Sequence, residues 1–159
     1  LEAKKWAIDN GWIDPNRIAI KGRSFGGYLS LLGATLNPND FVCAIAEMPI
    51  VNPRTWKFKN TLPYFSSWDQ IHSESATTSI SVLDYASNLR GPLLMIHSEN
   101  DLRVHVSQSQ LMAETLHSYQ IPFEYHIFPG DGHELRDPEN RRRYHILVQE
   151  YLSKYLPIE

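Results

Sequence analysis

Arg17-Ile18-Ala19-Ile20-Lys21, a run rich in β-formers, leads straight into Gly22-Arg23-Ser24-Phe25-Gly26-Gly27, and a helix-compatible run from Tyr28 to Leu36 leads out. A strand that passes into a helix within a few residues has to turn sharply. G-x-S-x-G is the spacing that such a turn uses, with the serine hydroxyl standing proud of the sheet. The glycines two before and two after the serine are expected where strand and helix backbones approach too closely for a larger side chain. Alone, a motif this short is a weak signal. Its weight comes from what lies further along the chain.

The flanking segments alternate in kind. Leu1 to Asn10 reads as the end of an amphipathic helix with Ala3, Trp6 and Ala7 on one face. Asn10-Gly11 supplies its stop, and Trp12 is placed to pack back against it. Asp14-Pro15-Asn16 is a turn, and the first strand is expected at Arg17–Lys21. A second strand runs from Phe41 to about Glu47, and a third, apolar on both faces, is Pro92–His97. The helix after it opens with Ser107 and Gln110 at capping-box spacing and buries Leu111, Met112, Thr115, Leu116 and Tyr119. The fourth strand is Pro122–Phe128. The last helix has Asp137 as N-cap and Pro138 at its first position, and buries Tyr144, Leu147, Val148, Tyr151, Leu152 and Tyr155. Pro49 to Leu89 has no clean period and reads as a surface excursion with short helices of its own. Four strands alternating with helices imply a parallel α/β sheet.

Bulk properties narrow the setting. With 159 residues, 42% of them hydrophobic, the chain is one globular domain or part of one. A net charge of −3 with interspersed signs gives no reason to expect a nucleic acid or an anionic membrane as partner. The single cysteine, Cys43, lies in the apolar run Phe41-Val42-Cys43-Ala44-Ile45 and is expected to be buried. It has no internal disulfide partner, which favours a reducing, cytoplasmic setting. No apolar run reaches transmembrane length, and no signal peptide or N-glycosylation triplet is present. The chain opens at Leu1 already in a helix-like run, so it is read as cut from something longer.

In an open parallel sheet the ligand site lies beyond the carboxyl ends of the strands. Ser24 follows the first strand, Asp101 the third and His133 the fourth. A serine hydroxyl is a poor nucleophile until an imidazole takes its proton, and the imidazole needs a carboxylate to fix its tautomer. The order Ser…Asp…His is that of the α/β-hydrolases. Against this stand blander readings: an inert serine in a tight turn, Glu99 or Asp84 in place of Asp101, and an exposed loop histidine at position 133. Asp131, Glu134 and Asp137 suggest a metal site, but no pair of histidines has zinc-ligand spacing, so neither metal nor cofactor is expected. His97 and His126 read as structural strand residues, and His72, His105, His117 and His145 have no partner that the sequence names. Arg141-Arg142-Arg143 reads as a solvated helix face. Trp56, Phe58, Tyr64, Phe65 and Trp68 fit a local core or a substrate pocket equally well.

Taken together, these segments resemble the catalytic domain of the prolyl oligopeptidase family of serine peptidases, in particular the branch containing acylaminoacyl-peptidases. Asp14-Pro15-Asn16-Arg17-Ile18 and G-R-S-F-G-G-Y through Tyr28 look like its nucleophile region. M-I-H-S-E-N-D-L-R-V up to Val104 is similar to its aspartate segment, and F-P-G-D-G-H-E-L-R-D-P-E from Phe128 to Glu139 to its histidine loop. The resemblance implies a serine peptidase with Ser24 as nucleophile, Asp101 as orienting carboxylate and His133 as general base and acid. It also implies that the Phe25 N–H is an oxyanion donor and that Arg103 and Val104 contact the substrate. The substrates implied are short peptides or acylated N-terminal residues. An esterase on the same scaffold and an inactive truncated module are the alternatives. Family members often carry Gly where Ser98 stands, Pro near His105, and Gly-Phe where this chain has Glu134-Leu135, differences that bear on loop shape and pocket lining.

The resemblance implies, further, that residues 1–159 are the C-terminal half of an α/β-hydrolase fold, with the N-terminal strands and a β-propeller missing. The second oxyanion donor is then missing too, a loss that typically costs about 10²–10³ in rate. The nucleophile strand becomes an open apolar edge. The fragment alone is therefore expected to be poorly active or to associate edge to edge, its natural partner being the missing N-terminal part.

Overall fold

The computed structural model describes residues 2–56 and 80–157. Strands β1 (Ala19–Arg23), β2 (Cys43–Glu47), β3 (Leu93–Ser98) and β4 (Glu124–Phe128) form one parallel sheet in the order β1-β2-β3-β4. Helix α1 (Glu2–Asp9) precedes the sheet, and α2 (Phe25–Leu36) joins β1 to β2. A 3-10 helix (Val82–Asn88) leads into β3, α3 (Ser107–Ser118) joins β3 to β4, and α4 (Pro138–Tyr155) closes the chain. The parallel α/β class expected from the alternation is the one observed. No helix among the described residues is long and apolar enough to cross a membrane.

β1 starts two residues later than expected because the turn at Asp14 extends through Arg17, whose N–H reaches the Asp14 carbonyl at 3.0 Å. The strand therefore runs on through Gly22 and Arg23, and only Ser24 separates it from α2. Period-two alternation sends side chains to two cores. Ala44, Ala46, Leu93 and Met95 pack with Leu31 of α2 and with Met112 and Leu116 of α3. Cys43, Ile45, Leu94 and Ile96 pack with Phe128 and with Tyr151 of α4. Burial pushes the Cys43 thiol up to about 11, so it stays a neutral core residue. β2 and β3 are buried throughout, as central strands are. β1 is an edge strand among those described, but its exposed residues are Lys21 and Arg23, so the edge is less apolar than expected.

Helix ends follow local chemistry in two cases and depart from it in one. Gly11, at φ 69°, lets its own N–H and that of Trp12 cap the carbonyls of Ile8 and Ala7, and the Trp12 ring packs edge-on against Trp6. The Asp137 carboxylate accepts from the N–H groups of Glu139 and Asn140, with Pro138 at the first helical position. The capping box expected at Ser107 does not form. Its hydroxyl turns instead to His105 Nδ1 at 2.9 Å, and Val106 occupies the cap position. The buried stripe of α3 is also rotated from the expected one. Gln108, Ser109, Met112 and Leu116 are inside, whereas Tyr119 is exposed. Gln108 is drawn in because its Oε1 accepts from the N–H groups of Val51 and Asn52, both at 2.9 Å. Of the aromatic residues in the excursion, Trp56 packs against the first core, and Phe58, Tyr64, Phe65 and Trp68 lie outside the described residues, as does His72.

The two glycines flanking the serine differ. A Cβ on Gly22 would stand 2.1 Å from the Gly26 carbonyl oxygen, so strand and helix do approach too closely there for a side chain. A Cβ on Gly26 would meet nothing within 4 Å, which corrects the expectation for that position. The second tight glycine is Gly27, where a Cβ would press at 3.0 Å on the Glu47 carbonyl and on Pro49. Gly22→Ala should therefore cost about 2 kcal/mol or more, and Gly26→Ala should stay within about 0.5 kcal/mol of the parent, in urea unfolding.

Candidate active site

The end of β1 sets the position of Ser24. Its N–H is bonded to the Glu47 carbonyl at 2.8 Å, carrying the β1–β2 pairing one residue past the strand, and its carbonyl accepts from Tyr28 N–H at 3.1 Å to open α2. Held by both neighbours, the residue takes φ 58° and ψ −119°, a backbone region that costs a non-glycine residue on the order of 1–3 kcal/mol. Such strain persists where the surrounding structure enforces it. Phe25 is the first residue of α2, where a helix has N–H groups without intrahelical partners and the positive end of its dipole.

Asp101 follows β3 and is 1% exposed. Its Oδ1 accepts from the backbone N–H groups of Arg103 and Val104, both at 2.9 Å, and its Oδ2 accepts from His133 Nδ1 at 2.7 Å. Burial alone would push this carboxyl up. The bond from His133, the nearby His97 ring and the bond from Val104 outweigh it and hold the group well below the usual carboxylate range. Because an ionised carboxylate only accepts, the proton of a neutral His133 sits on Nδ1, and Nε2 is left with its lone pair.

The two loops that carry these residues are tied to each other. Glu99 N–H bonds the Phe128 carbonyl at 2.9 Å, Asn100 N–H the Asp131 carbonyl at 3.0 Å, and Gly130 N–H the Glu99 carboxylate at 3.3 Å. Asp131, one of the residues that suggested a metal, is taken up differently. Oδ1 accepts from the N–H groups of Arg136 and Asp137, and Oδ2 from Asn140 Nδ2 at 2.8 Å. These bonds shape the loop around His133, and no group of potential metal ligands forms among the described residues. Of the rival carboxylates, Glu99 bonds Gly130 and Asp84 pairs with Arg54 at 3.0 Å.

The other expected contacts fall as follows. The Val104 side chain is fully buried in the first core, and the Arg103 carbonyl accepts from Trp56 Nε1 at 3.1 Å. His97 does more than fill the strand. Its Nε2 donates to the Val104 carbonyl at 2.8 Å and stands 3.5 Å from Asp101 Oδ2, while Nδ1 accepts from the Ser109 hydroxyl at 2.6 Å. Val104 is thus held by His97 on its carbonyl and holds Asp101 with its N–H. The only sequence sign of this was a histidine four residues before the aspartate in an otherwise apolar strand.

A model of the prolyl oligopeptidase family matches residues 1–158. Dipeptidyl aminopeptidase BIII of Pseudoxanthomonas mexicana is 30% identical over 98% of this chain and 24% of its own length. The acylamino-acid-releasing enzyme of Arabidopsis thaliana is 28% identical over 98% of this chain and 22% of its own. Among solved structures, a puromycin-hydrolyzing peptidase of Mycobacterium tuberculosis superposes with a TM-score of 0.84 at 26% identity, covering 99% of this chain and 24% of that one. The chain thus spans about a quarter of the length of these relatives.

The lowered carboxyl of Asp101 has a consequence in acid. Its folded-state pKa lies below its unfolded value, so its stabilising share is complete above about pH 4 and is lost as pH falls toward the folded value. Asp101→Asn should flatten the stability–pH curve below about pH 4 by up to about 1.4 kcal/mol per pH unit, one proton's share, in urea unfolding. Asp131, also held low, keeps its own share in that variant.

Proposed function

This chain belongs to the prolyl oligopeptidase family, and on that footing we propose that it is part of the catalytic domain of a serine peptidase, with Ser24 as nucleophile, His133 as general base and acid, and Asp101 as orienting carboxylate. The observation that carries the reading is the 2.7 Å bond from His133 Nδ1 to the buried Asp101, at the sheet end where Ser24 sits strained between strand and helix. Ser24 Oγ attacks the scissile carbonyl and gives its proton to His133 Nε2. Asp101 steadies the imidazolium that results. The oxyanion of the tetrahedral intermediate takes a hydrogen bond from Phe25 N–H at the start of α2. His133 then returns the proton to the leaving amine, and water repeats the sequence to release the acyl group from Ser24.

Short peptides and acylated N-terminal residues are the proposed substrates, in line with relatives named as a dipeptidyl aminopeptidase and an acylamino-acid-releasing enzyme. Arg103 is the proposed contact for a substrate carbonyl, with Val104 behind it. The remainder of the protein is proposed to continue the sheet beyond β1 and to supply the second oxyanion donor. Supporting this, α2 leaves Phe25, Leu29 and Leu36 exposed, an apolar stripe that an isolated domain would normally cover. A cytoplasmic setting is proposed on the strength of one buried, unpaired cysteine.

A fluorophosphonate should label the full-length protein at Ser24, and Ser24→Ala should abolish that labelling. Asp101→Asn, which removes the acceptor that fixes the Nδ1–H tautomer, should lower peptide-anilide turnover by about 10³–10⁴. Faster turnover of p-nitrophenyl esters than of anilides in every sequence tried would favour an esterase. Labelling that survives Ser24→Ala would sink the proposal.

A further inference from the structure

Ser24 and His133 leave the sheet from opposite edges. Ser24 follows β1 and His133 follows β4, with β2 and β3 between them. At about 4.8 Å per strand, the two strand ends stand roughly 14 Å apart. For an imidazole to serve Ser24, the histidine loop has to lean back across two strands. Asp101, which follows β3, holds the ring from the far side of that span, and the bonds from Glu99 and Asn100 hold the loop on the same side. A hold from the side of Ser24 would complete the grip on the loop.

Arg23 is placed to do so. Period-two alternation in β1 puts Ala19, Lys21 and Arg23 on the face covered by α4, where Ala19 joins the second core and Lys21 lies over the Tyr144 ring. From that face Arg23 Nη2 donates to the main-chain carbonyl of His133 at 2.9 Å and rests 3.6 Å from Met48 Sδ. The side chain next to Ser24 is therefore bonded to the backbone of the residue read as its base, 110 positions further along the chain.

We propose that Arg23 is a positioning residue: its guanidinium clamps the His133 loop over β2 and β3 and so sets the approach of the imidazole to Ser24. This deepens the triad reading and rests on it. Arginine suits the task because its reach is long, its donors are held in a rigid fork, and its charge persists at every working pH. The grip bears on the His133 carbonyl rather than its ring, so it leaves Nδ1 to Asp101 and Nε2 to the reaction.

The test uses the full-length protein with Arg23→Ala, Arg23→Gln and Arg23→Lys. Fluorophosphonate labelling of Arg23→Ala should reach a limiting rate about 10–100-fold below the parent with little change in reagent affinity, since a small misplacement of a catalytic group has that cost. Arg23→Lys, which keeps a long cationic donor, should recover part of the loss. Hydrogen exchange should rise in residues 130–136 of Arg23→Ala while α3 stays protected. If Arg23→Ala loosens α3 as well, Arg23→Gln decides: a rise confined to residues 130–136 supports the clamp, and parent-like exchange there overturns it. A limiting rate in Arg23→Ala equal to the parent overturns it too. If the parent is not labelled at Ser24, the nucleophile assignment fails on its own, and the exchange comparison still decides the clamp.

Discussion

Asp101 is a carboxylate taken out of water, and a charge in that position survives only if the chain around it is organised to hold it. Two backbone N–H groups and one imidazole meet that demand on its two oxygens. Satisfying it fixes the turn from Asp101 to Val104, fixes the His133 tautomer, and draws the loop after β4 against the loop after β3. His97 extends the same arrangement into the strand, where the Ser109 hydroxyl sets its tautomer and Val104 receives its proton. The buried charge thus ties the Asp101–Val104 turn, His133, His97 and Ser109 into one hydrogen-bonded group.

The sheet supplies the frame for this pair and for Ser24. Parallel pairing brings the carboxyl ends of all four strands to one side, Arg23 opposite Glu47 and Ser98 opposite Phe128. Strand order then separates Ser24 and His133 by the width of the sheet. The elbow serine is strained by what holds it, the Glu47 carbonyl on one side and the first turn of α2 on the other. Glu47 itself is buried and joined to Lys21 and Tyr144, so the floor beneath Ser24 links β1, β2 and α4. Lys21 is pushed down by burial, but its bonds to Glu47 and Tyr144 prevail and raise it, which keeps that floor charged and paired.

What the sequence made legible was what local chemistry decides. Alternation and apolar runs marked the strands, Asn10-Gly11 and Asp137-Pro138 marked helix ends, and loop position singled out Ser24, Asp101 and His133. The misreadings share a cause, which is a partner distant in the chain or a local competitor. Ser107 had the spacing of a cap, but His105 offered its hydroxyl another acceptor. Gly26 and Gly27 look interchangeable in sequence, and only the approach of Glu47 and Pro49 shows which one is tight. Gln108 resembles a surface residue until the backbone of Val51 and Asn52 is seen to need its oxygen. His97 was read only as a structural strand residue and the bond of Arg23 was not foreseen, for the same reason: neither Val104 nor His133 is within a helical turn of them.

In the proposed triad, a serine from one sheet edge meets Nε2 of an imidazole from the other, and Asp101 holds that imidazole by Nδ1. A crystal structure of the full-length protein with a peptide boronic acid tests it directly. The expected structure has boron bonded to Ser24 Oγ, one boronate oxygen on Phe25 N–H, and His133 Nε2 within about 3.2 Å of the adduct while Nδ1 stays on Asp101. A boronate on another residue, or a His133 ring turned away from Ser24 in the adduct, would contradict it.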